Sequence, residues 1–154
     1  MNIECEKAIQ RVKKAKEKNL IIGFTNGCYD LLHQGHLHLI KQASAQCDFL
    51  VVAINSDKSV REIKGPKRPI EDELTRFNKL KKNILVDEVI IFDDPTPITL
   101  IKKLQPNVII KGSDYKAENI VGYDVVKSAG GKVVIVDLLN GFSTTNIINQ
   151  QMKK

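Results

Sequence analysis

Leu20-Ile21-Ile22-Gly23-Phe24-Thr25-Asn26-Gly27 passes from a nearly all-apolar run straight into small polar residues. A run that short, with no polar alternation, fits a strand buried on both faces rather than one with a wet side. Four more runs of this kind follow, at 49–54, 88–92, 108–110 and 133–136. Helical patterns separate them. Residues 4–18 carry Ala8, Ile9, Val12 and Ala15 at helical spacing, and further helices are expected at 37–46, 71–83, 96–104 and 117–129. Pro97 near a helix start is tolerated, Gly130-Gly131 stops the fifth helix, and Ser143 caps a last one at 143–152. Between Asp57 and Pro69, the residues Gly65, Pro66 and Pro69 break any period, and a long mobile loop is expected there. Buried strands alternating with helices predict an α/β, Rossmann-like, doubly wound five-stranded parallel sheet with helices on both faces. One domain over 1–154 is expected, with the N-terminal helix within 1–19 packed on it.

Composition narrows the class. The chain has 154 residues, 42% hydrophobic and 27% charged, the make-up of a globular domain rather than a disordered one. No apolar run reaches the roughly 18 residues of a membrane helix, and the N-terminus shows no apolar signal core. Cys5, Cys28 and Cys47 form no C-x-x-C pair, so a disulfide scaffold is excluded and a reducing cytoplasm is the expected setting. The net charge of +6 is local. Lys58, Arg61, Lys64, Lys67 and Arg68 face only Glu62, and Arg76, Lys79, Lys81 and Lys82 follow. A solvated surface and a loop that steers a polyanion both account for such a run. Aromatic residues make up 5% and none interleaves the cluster, so neither nucleic acid nor membrane is expected as a partner.

In such a sheet ligands sit beyond the carboxyl ends of the strands. That selects 25–27, 55–57, 93–94, 111–115 and 137–145 before any motif is considered. No G-x-x-x-x-G-K-[ST] and no G-x-G-x-x-G after the first strand occur, which removes a P-loop and weakens a dinucleotide site. All three histidines lie within 33–38. His33 and His36 are three apart at a helix start and can face the same way, and Gly35 between them leaves bare backbone. A helix N-terminus adds amide donors and a positive dipole end, so the group suits a polyphosphate. Two other readings compete: Cys28, His33, His36 and His38 as a zinc site, or His33 and His36 as a helix cap without a ligand. His38 reads as a surface residue. Ser143-Thr144-Thr145, about 110 residues downstream, offers a second anion cradle at a helix start.

Thr25-Asn26-Gly27 through His33-x-Gly35-His36, with Gly141-Phe142-Ser143-Thr144-Thr145 far downstream, resembles the H-x-G-H nucleotidyltransferase superfamily of cytidylyltransferases and adenylyltransferases. Within it, 64–69, 111–115 and 140–146 look like the adenylyltransferase half of bacterial bifunctional heptose kinase/adenylyltransferases, over nearly the whole chain. No sugar-kinase half accompanies it here, so a stand-alone D-glycero-β-D-manno-heptose 1-phosphate adenylyltransferase is expected. Glycerol-3-phosphate cytidylyltransferases are the nearest competitor. Leu139-Asn140-Gly141 in place of their Arg-Thr-Glu-Gly, and Gly112-Ser113-Asp114-Tyr115 in place of Gly-Asp-Asp-Trp, favour ATP over CTP. Tyr29 stands where phenylalanine is usual, and Thr75-Arg76 where Glu-Arg is common, leaving Arg76 freer to meet phosphate or less firmly held.

The resemblance implies AMP transfer from ATP to a sugar 1-phosphate with release of pyrophosphate, the product feeding a cell-envelope glycan such as the lipopolysaccharide core. His33 and His36 would contact the triphosphate, and Lys64 and Arg68 would close over the phosphoryl groups. Thr25, Asn26, Gly27 and Gly35 would line the phosphate path. Lys111, Gly112, Asp114 and Tyr115 would border nucleoside and sugar, and Ser143, Thr144 and Thr145 would hold the leaving pyrophosphate. Mg²⁺ is the expected cofactor, offsetting ATP charge with few protein ligands, and no metal ligand is assigned. ATP and a sugar 1-phosphate are the expected partners, in a homodimer or higher homo-oligomer, with a separate heptose kinase supplying the substrate.

Overall fold

The structure, a computed structural model, describes residues 3–137; the expected helix at 143–152 and Ser143, Thr144 and Thr145 lie outside the described residues. Five strands, β1 (Ile22–Gly27), β2 (Phe49–Asn55), β3 (Glu88–Phe92), β4 (Val108–Gly112) and β5 (Lys132–Val136), form one sheet in the order β3-β2-β1-β4-β5. Every pairing is parallel, with Ile22 level with Phe49, Val51 with Glu88, Gly23 with Val108 and Val108 with Lys132. Strand order reverses between β1 and β4, and the cleft of a doubly wound sheet opens there.

The apolar runs are continuous because successive residues face different layers. Val51 and Ala53 pack beneath α1 (Ile3–Glu17), α5 (Ile98–Leu104) and α6 (Tyr123–Ser128), together with Val12, Ile101 and Val126. Leu50, Val52 and Ile54 face α2 (Gln34–Ser44) and α4 (Glu73–Lys81), packing with Ile40, Ala43 and Leu80. The first helix packs on the sheet through Ala8, Val12 and Ala15. A fork from Arg11 to the buried Glu88 ties α1 to β3, with Nε–Oε2 2.6 Å and Nη2–Oε1 2.7 Å.

Two expectations on the elements are corrected. The stretch 57–69 is not a loop throughout, because α3 (Asp57–Lys64) fills its first half. Ser56 caps that helix by accepting from the Ser59 amide, Val60 is its buried apolar anchor, and Gly65 ends it at φ 100°. The expected helix at 117–129 is split into a 3-10 turn, Ala117–Asn119, and α6. Gly122 makes the break at φ 92°, and a Cβ there would meet Ile101 Cδ1 at 2.8 Å. No residue but glycine fits that corner without movement of the core.

Candidate active site

α2 starts a few residues after β1, and its start is built from the two histidines. His33 is the N-cap residue, with Nδ1 accepting from the Gly35 amide at 3.1 Å. His36 Nδ1 in turn accepts from the His33 amide at 3.2 Å. This is a reciprocal capping box made with imidazoles. A neutral ring that accepts at Nδ1 carries its proton on Nε2, so each histidine keeps one N–H to donate elsewhere. The rings stack with centroids 3.7 Å apart, and Tyr29 packs on His36 at 5.0 Å. Burial first, then His33 and Lys64, push His36 down to about 3, with Asp30 opposing; burial also lowers His33. Capping therefore occupies Nδ1 of each ring and leaves Nε2 as the donor. The Gly35 amide is thereby used in the cap.

The loop between β1 and α2 is locked by carboxylates. Asp30 is fully buried and accepts from the Ile70 amide at 2.8 Å, the Glu71 amide at 2.9 Å and Arg68 Nε at 3.1 Å. Glu71 reaches back to accept from the Leu31 amide at 3.1 Å, and its other oxygen pairs with Lys79. Tyr29 and Leu31 take left-handed backbone, at φ 52° and 51°, to make this turn. Arg68 thus sits on a pinned segment and not on a mobile loop, and its Nη2 is buried with no hydrogen-bond partner among the described residues.

Arg76 corrects a second expectation. Its side chain is buried, at 1% exposure, so it is not free to meet phosphate, and it is firmly held. It donates to Asn55 O at 2.6 Å, Asp57 Oδ1 at 2.8 Å, Cys28 O at 2.9 Å and Glu71 O at 3.0 Å. One guanidinium thereby fastens the ends of β1 and β2 to the starts of α3 and α4.

Beyond the carboxyl ends of β1, β2 and β4 lies a cavity of about 320 Å³, whose polar lining includes Asn26, Asn55, Lys64, Lys111 and Asn119. Lys111 Nζ donates to Asn26 O at 2.8 Å and Asn26 Oδ1 at 3.3 Å, and lies 5.2 Å from the Tyr115 ring centre. Burial pushes the Lys111 ammonium down to about 8. Of the residues singled out from sequence, Asn26, Gly27, Lys64, Lys111 and Tyr115 line this cavity. His33, His36 and Arg68 group around the Asp30 loop and are not part of its wall.

Three other residues singled out from sequence stand outside this cavity's wall: Thr25 is fully buried against Tyr29, whose phenol is pushed up to about 12 by burial. Gly112 is buried in β4, and Asp114 is exposed on the following turn, outside the cavity wall. A larger depression, about 810 Å³, runs along α1 beside Lys7, Lys14 and Lys103, and none of the expected site residues line it. Among the described residues no group of three or more His, Cys, Asp or Glu could hold a metal ion, so Cys28 and the histidines form no zinc site. His38 lies on the surface side, its Nε2 3.0 Å from Asp137 O. Sequence reading missed Asp30, Glu71 and the strut role of Arg76, which bond largely to backbone atoms, as far as 48 residues away for Arg76 and Cys28.

Neutral histidine donors beside cations suit transfer between phosphates, and the class of protein so built is the nucleotidyltransferases. The chain belongs to the cytidylyltransferase-like family, whose model matches residues 24–150. It is 49% identical over 141 residues to the bifunctional protein HldE of Nitrobacter hamburgensis, covering 92% of this chain and 29% of that protein. It is 52% identical over 140 residues to HldE of Hyphomonas neptunium, covering 91% of this chain and again 29% of the relative. The chain thus spans under a third of the length of these relatives. The crystal structure of the lipopolysaccharide core biosynthesis protein from Thermoplasma volcanium superposes with TM-score 0.62 at 26% identity, over 78% of this chain and 97% of that one. A pantoate-beta-alanine ligase from Francisella tularensis shares the fold, with TM-score 0.53 at 15% identity over 95% of this chain and 77% of that one. Among the described residues no helix is long and apolar enough to cross a membrane.

Proposed function

We propose that the chain is the adenylyltransferase acting on D-glycero-β-D-manno-heptose 1-phosphate, giving ADP-heptose and pyrophosphate. The observation that carries this reading is the pair of Nδ1-capped, neutral histidines beside Lys64 and Arg68, in a chain about half identical to HldE proteins over most of its length. A phosphate oxygen of the sugar attacks the α-phosphorus of ATP, a P–O bond forms, and the bond to pyrophosphate breaks. The attacker is already anionic and needs no base, so the protein's work is to place two polyanions and to stabilise charge on the transferred group. His33 and His36 donate Nε2–H to the triphosphate, and Arg68 offers its spare Nη2 donor. Ser143, Thr144 and Thr145 hold the leaving pyrophosphate. Mg²⁺ arrives with ATP and offsets phosphate charge. Among the described residues the chain offers it no ready-made cluster of ligands.

Pyrophosphate release with Mg²⁺, comparing ATP and CTP against the heptose 1-phosphate and glycerol 3-phosphate, tests the reading. Release with ATP and the heptose alone is the expected result. Release with CTP and glycerol 3-phosphate alone overturns the substrates and leaves the reaction class.

A further inference from the structure

Tyr29 is seated more deeply than a loop residue needs to be. It is 4% exposed and takes left-handed backbone, at φ 52°, a conformation that a bulky side chain adopts only where its surroundings impose it. Its ring belongs to the cluster between the sheet and α2, with Ile40 and Ala43 of the helix and Val108 and Ile110 of β4. It also covers the end of β1, where a Cβ on Gly27 would stand 3.2 Å from Cε2 of the ring. The phenol itself holds nothing. Neither it nor the buried Thr25 Oγ1 beside it makes a hydrogen bond among the described residues. A phenylalanine would fill the same space without leaving a hydroxyl unsatisfied, so what Tyr29 contributes comes through its ring.

That ring packs on His36, with centroids 5.0 Å apart and planes inclined by 43°. Among the described residues the His36 side chain has one hydrogen bond, Nδ1 accepting from the His33 amide at 3.2 Å. A single bond lets an imidazole tilt about it. His33 stacks on the same ring at 3.7 Å, but it is only half-buried and belongs to the same cap. Tyr29 is the contact anchored in the core. We propose that Tyr29 is a positioning residue for His36: its ring, wedged between β1 and α2, sets the tilt of the imidazole and hence where Nε2–H points. This rests on the reading of His36 as a donor to the triphosphate. A misaimed donor forfeits much of what it gives the transition state, whereas substrate binding spread over many groups changes little.

The test is a double-mutant cycle on the whole protein, read by AMP transfer and by nitrogen NMR of the histidines at neutral pH. Tyr29→Leu keeps apolar bulk and removes the flat ring. It is expected to lower kcat about thirtyfold while the KM for ATP changes by less than about threefold. Tyr29→Phe is expected to recover most of that loss and to melt above the parent. In the His36→Ala background, Tyr29→Leu is expected to cost less than about threefold more, because no imidazole is left to aim. Without substrates, His36 is expected to show one tautomer in the parent and in Tyr29→Phe, with the proton on Nε2, and a mixture in Tyr29→Leu. Tyr29→Met takes the place of the leucine variant should that one not fold. A loss from Tyr29→Leu that is equally large with and without His36 overturns the proposal, as does a single parent-like tautomer with unchanged kcat. A parent that transfers nothing sinks the proposed function. The NMR arm then decides alone: a tautomer mixture in Tyr29→Leu upholds the positioning role, and an unaltered His36 overturns it.

Discussion

Because His36 uses Nδ1 to cap α2, its protonation is coupled to the helix start as well as to any ligand. In the unfolded chain a histidine takes up its proton near 6.5, whereas the folded ring stays neutral down to about 3. Between those values the unfolded state binds a proton that the folded state refuses, so stability falls as pH falls through that window. Without nucleotide, denaturant unfolding at a series of pH values from 7 to 4 is expected to show a steeper loss for the parent than for His36→Asn. An asparagine side-chain oxygen can still accept from the His33 amide but does not titrate. Equal slopes in the two proteins would refute the neutral, capping histidine. Under turnover at pH 7, His36→Ala is expected to lose on the order of a hundredfold to a thousandfold in kcat, as removal of one positioned donor does elsewhere. The histidine pair was legible in the sequence because its spacing is local. The tautomer was not, since it depends on which backbone amide each ring accepts from.

At the scale of elements, the strands could be read because each is a short apolar run closed by polar residues, and burial on both faces demands no more. α3 was hidden. Ser59 and Val60 are the only buried residues in its eight, so it carries almost no apolar stripe, and Gly65-Pro66 drew the whole stretch toward a loop. What holds α3 in place is Arg76 on α4, through Asp57 and the carbonyl of Asn55. That contact joins residues 19 and 21 apart, and no local pattern announces it. Arg76→Met keeps the aliphatic stem but strands three carbonyls and an aspartate. It is expected to cost about 3 kcal/mol in urea unfolding. Lys64 at the far end of α3 should then lose its place beside the cavity, and acceptor KM should rise more than ATP KM. A variant as stable as the parent would show that water replaces the guanidinium without loss.

Over the whole molecule, two groups of lysines meet different surroundings. Lys7, Lys13, Lys14 and Lys103 line the depression along α1, whereas Lys64 and Lys111 line the cavity at the carboxyl ends of β1 and β4. From composition alone these could not be told apart, because sequence gives the charges and only the sheet order says which edge they meet. Charges on exposed helices are screened beyond about 8 Å at physiological ionic strength, while those lining a cleft with low-dielectric walls are focused on what enters it. Raising salt should therefore lower kcat/KM for two anionic substrates, with a slope set by the cavity cations. Lys13→Gln with Lys14→Gln lowers the net charge by two and is expected to leave that slope nearly unchanged. Lys64→Gln removes a single charge and is expected to flatten it. If the double variant flattens the slope as much as Lys64→Gln does, the field that draws the substrates in belongs to the whole surface, and the cavity's two lysines act only after encounter.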